Sequence, residues 1–79
     1  MSRDEVFEII VRHTRDVLPG LGAHSFMPSD SLKSLGANSI DRVDIIMATL
    51  ESLSLNIPLT AMAKAENMGE LAGIIHERS

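Results

Sequence analysis

Leu35-Gly36-Ala37-Asn38-Ser39-Ile40-Asp41-Arg42-Val43-Asp44-Ile45-Ile46-Met47-Ala48-Thr49-Leu50-Glu51-Ser52-Leu53 is the stretch that decides the fold. A glycine turn leads directly into a run whose apolar residues recur at helical spacing rather than in alternation. The run predicts a helix that begins near Asn38 or Ser39 and ends near Leu53. Asp41 and Asp44 are read as first-turn charges that complement the positive end of the helix dipole. At about 100° per residue, the arc from Ile45 round to Ile40 spans about 220°. A surface helix needs only roughly 100° or a little more to face its core. Part of this apolar surface must therefore be exposed or covered by a loop.

Reading outward, the flanks are helical too. Ser2 with Glu5 forms a capping-box signature before a first helix from about Arg3 to Leu18. Pro19-Gly20 stops that helix. Residues 19 to 38 form a long connection in which Leu21, Phe26, Leu32 and Leu35 are apolar anchors, with Asp30 as the cap of a short turn. A short helix is expected around Leu59 to Lys64, after Pro58. A last helix follows, with Asn67 as its N-cap, Glu70 at the capping-box position, and Met68, Leu71, Ile74 and Ile75 as its apolar face. No stretch alternates in the strand manner. The predicted fold is all-α: one domain, residues 1–79, a small four-helix bundle of three main helices plus one short helix, with a long loop between helices one and two.

Composition excludes several function classes. The chain has 79 residues, 44% hydrophobic and 23% charged, with no cysteine, tryptophan or tyrosine. No disulfide, Cys-based zinc site or side-chain thioester is possible. Seven basic residues stand against eleven acidic ones. That balance argues against a nucleic-acid partner, whose phosphates need Lys and Arg. The apolar runs are far shorter than a membrane span, so no membrane partner is expected. A cytoplasmic monomer is the expectation. His13, His24 and His76 lie on separate elements without ligand spacing and read as solvated surface histidines. No catalytic constellation is present.

Ser39 stands apart, at the junction of glycine loop and helix. One reading makes it a plain helix cap. The other makes its hydroxyl an acceptor for a phosphate group at a helix N-terminus, where free N–H groups favour an anion. No base neighbours the hydroxyl, so a separate enzyme would have to activate it.

With Leu32-x-x-Leu35-Gly36-Ala37-Asn38-Ser39-Ile40-Asp41, the helix Val43 to Leu53, and Asn56-Ile57-Pro58, the chain resembles the acyl carrier proteins over essentially its whole length. The resemblance implies that Ser39 carries a 4′-phosphopantetheine arm, taken from coenzyme A by a phosphopantetheinyl transferase. Acyl groups then ride as thioesters on the arm's terminal thiol, so the chain is a carrier and not an enzyme. The family's orientation turns Ile45, Ile46 and Leu53 to the core. It leaves Ile40, Val43 and Met47, with Leu50, to partners, flanked by Asp44 and Glu51. Asn38, Asp41 and Arg42 complete the partner-binding set around Ser39.

Two departures stand out. Asn38 replaces the aspartate of the family's Asp-Ser-Leu hallmark, and Leu59-Thr60-Ala61-Met62-Ala63 lacks the acids common after this proline. Gly36 to Arg42 and Leu50 to Pro58 are similar to the free-standing carriers of polyketide β-branching cassettes. That narrower resemblance implies an acyltransferase that loads malonyl and a decarboxylating ketosynthase-like enzyme that converts it to acetyl. An HMG-CoA-synthase-like enzyme then receives the acetyl group. A cargo this small is expected to stay in solvent. The alternatives are a fatty-acid or peptidyl carrier, and a non-covalent helical interaction module with Ser39 as a cap.

Overall fold

Ser2 starts the first helix through its side chain. Its Oγ accepts the Glu5 N–H at 3.1 Å, and the Glu5 carboxylate accepts the Ser2 N–H at 3.0 Å. This box satisfies donors that no helical carbonyl can reach. In the computed structural model, which describes residues 1–79, the helix that follows, α1, spans Arg3–Val17. Leu18 is its C-cap rather than its last residue, because the residue before a proline is driven out of the α region. Pro19–Leu21 then forms a 3-10 turn. Three further helices follow: α2 (Ser39–Ser52), α3 (Leu59–Met62) and α4 (Met68–Glu77). There is no strand, so the architecture is the expected all-α bundle of three main helices and one short one.

α1 packs against both α2 and α4, and α3 against α4. Val6 and Ile10 of α1, Ile45 of α2, Met62 of α3, and Met68 and Ile75 of α4 meet in one core. Thr14 and Thr49 are fully buried among them. Their hydroxyls donate back to the Ile10 and Ile45 carbonyls at 2.7 and 2.8 Å, so neither leaves a polar atom unpaired. No helix is long and apolar enough to cross a membrane.

The long connection between α1 and α2 is docked. Leu32 and Ala37 are buried in the core, and Phe26 and Leu35 are half-buried against it. The carbonyls of Asp30 and Pro28 accept the N–H groups of Met68 and Gly69, at 2.8 and 2.9 Å. The loop thus caps the first turn of α4. Asn67 caps it as well, its Oδ1 accepting the Glu70 N–H at 2.8 Å. The Glu70 carboxylate turns instead to the Glu66 N–H and the Asn67 amide.

One loop expectation is corrected. The turn carrying Leu32 and Leu35 is capped by Ser31, whose Oγ accepts the Ser34 N–H at 3.0 Å. Asp30 instead accepts the Met27 N–H at 2.9 Å and the His24 Nε2–H at 3.0 Å. The histidines are half-buried surface side chains, each with a hydrogen-bond partner. His24 stacks edge-on against Phe26 at 4.8 Å. His13 Nε2 hydrogen-bonds Ser52 Oγ at 2.7 Å, joining α1 to α2. His76 Nε2 donates to the Met1 carbonyl at 3.1 Å. Each partner is a polar group brought near only by folding.

α2 ends in a tight turn. Ser54 N–H donates to Glu51 O at 3.1 Å, and Leu55 N–H to Leu50 O at 2.9 Å. Ser54 sits in the left-handed region at φ 54. This is a Schellman closure built without the usual glycine. It folds the chain back so that Ile57 joins the same core as Leu50.

Candidate functional site

A second turn of the same kind positions Ser39. Leu35 N–H donates to Ser31 O, Gly36 N–H to Lys33 O and Ala37 N–H to Leu32 O, all at 3.0 to 3.1 Å. Gly36 takes φ +103, which side-chain-bearing residues rarely adopt. The chain leaves this turn extended, plugs Ala37 into the core, and presents Asn38 at the start of α2.

Asn38 is the N-cap. Its Oδ1 accepts the Asp41 N–H at 2.8 Å, and the Asp41 carboxylate accepts the Asn38 N–H at 3.3 Å. The capping role that the sequence leaves open for Ser39 therefore belongs to its neighbour. Ser39 is the first helical residue, exposed, and its Oγ takes only a long contact of 3.4 Å from Arg42 Nη2. Asp41 is part of the capping box. Asp44 lies in the second turn, past the reach of the terminal dipole.

Beyond Ser39 the outer face of α2 is apolar and open. Ile40 is 72% exposed, Val43 42% and Met47 51%. Asp44 and Glu51 are exposed along the same helix. Leu21 and Phe26 do not cover the face; Phe26 is held instead under Arg15, 5.0 Å from its ring centre. One expected member is corrected: Leu50 is only 4% exposed and belongs to the core. At about 20° from Ser39 on the helical wheel it lies at the edge of the buried arc. The fold-back after Ser54 decides its burial.

Arg42 sits one turn after Ser39. Its Nη1 donates to the Ala37 carbonyl at 3.0 Å, which holds the guanidinium beside the Ser39 hydroxyl. No carboxylate lies within 4.0 Å of it. A cleft of about 610 Å³ opens next to these two residues. Val43, Ile46 and Leu59 line it together with Met62, Met68 and Leu71. Sequence reasoning did not find this cleft. Its one trace there is the pair Leu59 and Met62, three residues apart on a four-residue helix.

The arrangement accommodates a phosphodiester on Ser39. The oxygen is exposed, so nothing buried is displaced. The Ser39 and Ile40 N–H groups have no acceptor within the chain. The nearest cation faces the oxygen, and the Asp41 carboxylate is turned to the Asn38 N–H.

Comparison with known proteins agrees with this geometry. The family model described as "Phosphopantetheine attachment site" matches residues 10–75. The polyketide biosynthesis acyl-carrier-protein AcpK of Bacillus subtilis (strain 168) is 41% identical over 78 residues, covering 99% of this chain and 95% of its own length. Among solved structures, a chain in the crystal structure of the curacin biosynthetic pathway HMG synthase in complex with acetyl donor-ACP superposes with a TM-score of 0.91. It is 47% identical, over 95% of this chain and 96% of that one. A family match over residues 10–75 and a carrier relative matched along nearly the whole chain place it in the phosphopantetheine-attachment family, as an acyl carrier protein and not an enzyme.

Proposed function

We propose that Ser39 is the attachment point of 4′-phosphopantetheine and that the chain is the acetyl-donor carrier of a polyketide β-branching system. The observation that carries the attachment is the release of Ser39 from capping. Asn38 does the structural work, and the hydroxyl is left exposed beside an unpaired guanidinium. The donor role is supported by the likeness to a polyketide carrier and to an acetyl-donor carrier solved with an HMG synthase.

The group, when bound, supplies a flexible arm and a terminal thiol, which this cysteine-free chain lacks. Everything else falls to the chain's own residues. Ser39 offers the oxygen, and with no base in hydrogen-bond reach the proton must be taken by the transferase. Ile40, Val43 and Met47 offer apolar contact to successive partners. Asp44 and Glu51 form an acidic margin that favours partners with basic docking surfaces and speeds encounter. Asp41, Asp44 and Glu51, offset by Arg42, account for half of the chain's net charge of −4. The partners in this reading are a phosphopantetheinyl transferase, an acyltransferase, a decarboxylating ketosynthase-like enzyme and an HMG-CoA-synthase-like enzyme. The domain that docks is the whole chain, residues 1–79.

The test has two stages. Incubated with coenzyme A and a broad-specificity transferase, the protein gains one phosphopantetheine mass and Ser39→Ala gains none. Loaded with acetyl, it then serves an HMG-CoA-synthase-like enzyme. Transfer only to a fatty-acid or peptide-forming enzyme would overturn the donor role. Asp44→Lys with Glu51→Lys weakens that docking and flattens its salt dependence; unchanged affinity at low salt would count against this face.

A further inference from the structure

Arg42 has no role in the bundle that its charge explains. Its guanidinium presents five donors. One is spent on the Ala37 carbonyl, at 3.0 Å, and another reaches Ser39 Oγ at 3.4 Å, too long for a strong bond to a neutral hydroxyl. No carboxylate lies within 4.0 Å, although Asp41 and Asp44 are its near neighbours in sequence. Asp41 is committed to the Asn38 N–H, and Asp44 is exposed on another face. A cation is thus held by a backbone carbonyl and aimed at one serine oxygen, without a counter-charge.

We propose that Arg42 is a positioning residue that clamps the phosphate of the group carried on Ser39, within the free carrier and before any partner docks. The inference rests on Ser39 being the attachment point. Residues three apart share a helix face, so Arg42 needs no backbone movement to follow the oxygen. Esterification places charged oxygens one bond beyond Ser39 Oγ, which turns the long neutral contact into a charge-assisted one. The Ala37 carbonyl keeps the guanidinium from swinging into solvent. On the helical wheel Arg42 and Ile40 lie on opposite sides of Ser39, each about 60–100° away. The clamp therefore draws the phosphate toward Arg42, the side on which Ser39 and Arg42 line the cleft, and away from Ile40. The root of the arm is then directed to the cleft side while Ile40 and Met47 of the docking face stay clear. Lysine has a point charge and no fork, so it replaces arginine only in part.

The experiment uses the full chain as wild type, Arg42→Ala and Arg42→Lys, each in apo form and after modification with coenzyme A and transferase. Mass measurement reads the attachment separately from the clamp. On modification of the wild type, the Arg42 side-chain N–H resonances shift and the melting temperature rises by about 2–4 °C at low salt. Added salt shrinks the rise. Arg42→Lys keeps part of the rise; Arg42→Ala, driven to complete modification with excess transferase, carries the same mass but loses the rise and shows a displaced ³¹P resonance. Arg42 resonances that do not move on modification, or an equal rise in Arg42→Ala, would overturn the clamp and leave attachment standing. Absence of any mass gain in the wild type would overturn both.

Discussion

Asn38→Ala and Ser39→Ala test, on adjacent residues, which side chain holds the helix and which is free for chemistry. Asn38→Ala removes the Oδ1 that accepts the Asp41 N–H at 2.8 Å. Replacing such a cap by alanine costs about 0.5–2 kcal/mol, typically ~1. The return bond from the Asn38 N–H to Asp41 Oδ2, at 3.3 Å, uses backbone and survives, which places the cost nearer the middle of that range. For a domain of this size ~1 kcal/mol lowers the melting temperature by about 4–8 °C. Ser39→Ala removes one exposed contact of 3.4 Å, and alanine regains up to about 0.5 kcal/mol of helix propensity. Its net effect stays within about 0.5 kcal/mol. Far-UV circular dichroism melts and urea titrations of the apo forms read the stabilities, and mass spectrometry reads modification. Asn38→Ala is the less stable protein and is still modified; Ser39→Ala is stable and is not. A Ser39→Ala loss as large as that of Asn38→Ala would refute the assignment of the cap.

Three further outcomes follow from the packing. Ser54→Gly raises stability by about 1 kcal/mol, because glycine relieves the left-handed φ of 54 while keeping both closing hydrogen bonds; an unchanged urea midpoint would show that the turn is unstrained. Gly69→Ala destabilises by about 1–3 kcal/mol, since its Cβ would stand 2.8 Å from Pro28 Cβ and 3.1 Å from Pro28 O. Faster amide exchange at Met68 and residue 69 would report the loop lifting off α4. The Met27 N–H, and after it the His24 ring, hold the Asp30 carboxyl below its ordinary 3.8. The unfolded chain then binds the extra proton first as pH falls. The contribution of Asp30 is full above about pH 5 and is lost as pH drops through that lowered value. Asp30→Asn flattens this acid limb of the stability curve, and an unaltered limb would remove the role of Asp30.

Much of the molecule is legible from local chemistry. Ser2 with Glu5 and Asn67 with the α4 apolar stripe start helices through side chains within one turn, so spacing alone reveals them. Pro19 ends α1 through its effect on Leu18. Gly36 marks the turn that aims Ser39, because only glycine is at ease at φ +103. The hydrogen-bond partners of His13 and His76 are not legible in the sequence, for the opposite reason. His13 meets Ser52, thirty-nine residues away, and His76 meets Met1 across nearly the whole chain, and no local pattern encodes such a meeting. Asp30 differs: its carboxylate turns back to Met27 and His24, close in sequence, rather than forward to cap the next turn, and only its carbonyl reaches a distant element, α4.

The helix after Gly36, the serine at its head and the absence of any thiol follow from the sequence, because capping, periodicity and composition are properties of neighbouring residues. An apolar arc of about 220° says that α2 has surface to spare, without saying which part. Only the fold divides it. The turn after Ser54 brings Ile57 back and takes Leu50 into the core, while the long loop docks on α1 and α4 and leaves Ile40, Val43 and Met47 open. Tertiary structure also settled the matter between Asn38 and Ser39, since either can cap in one dimension. The extended exit from Gly36, anchored by buried Ala37, places Asn38 outside the first turn and Ser39 inside it, with its hydroxyl free.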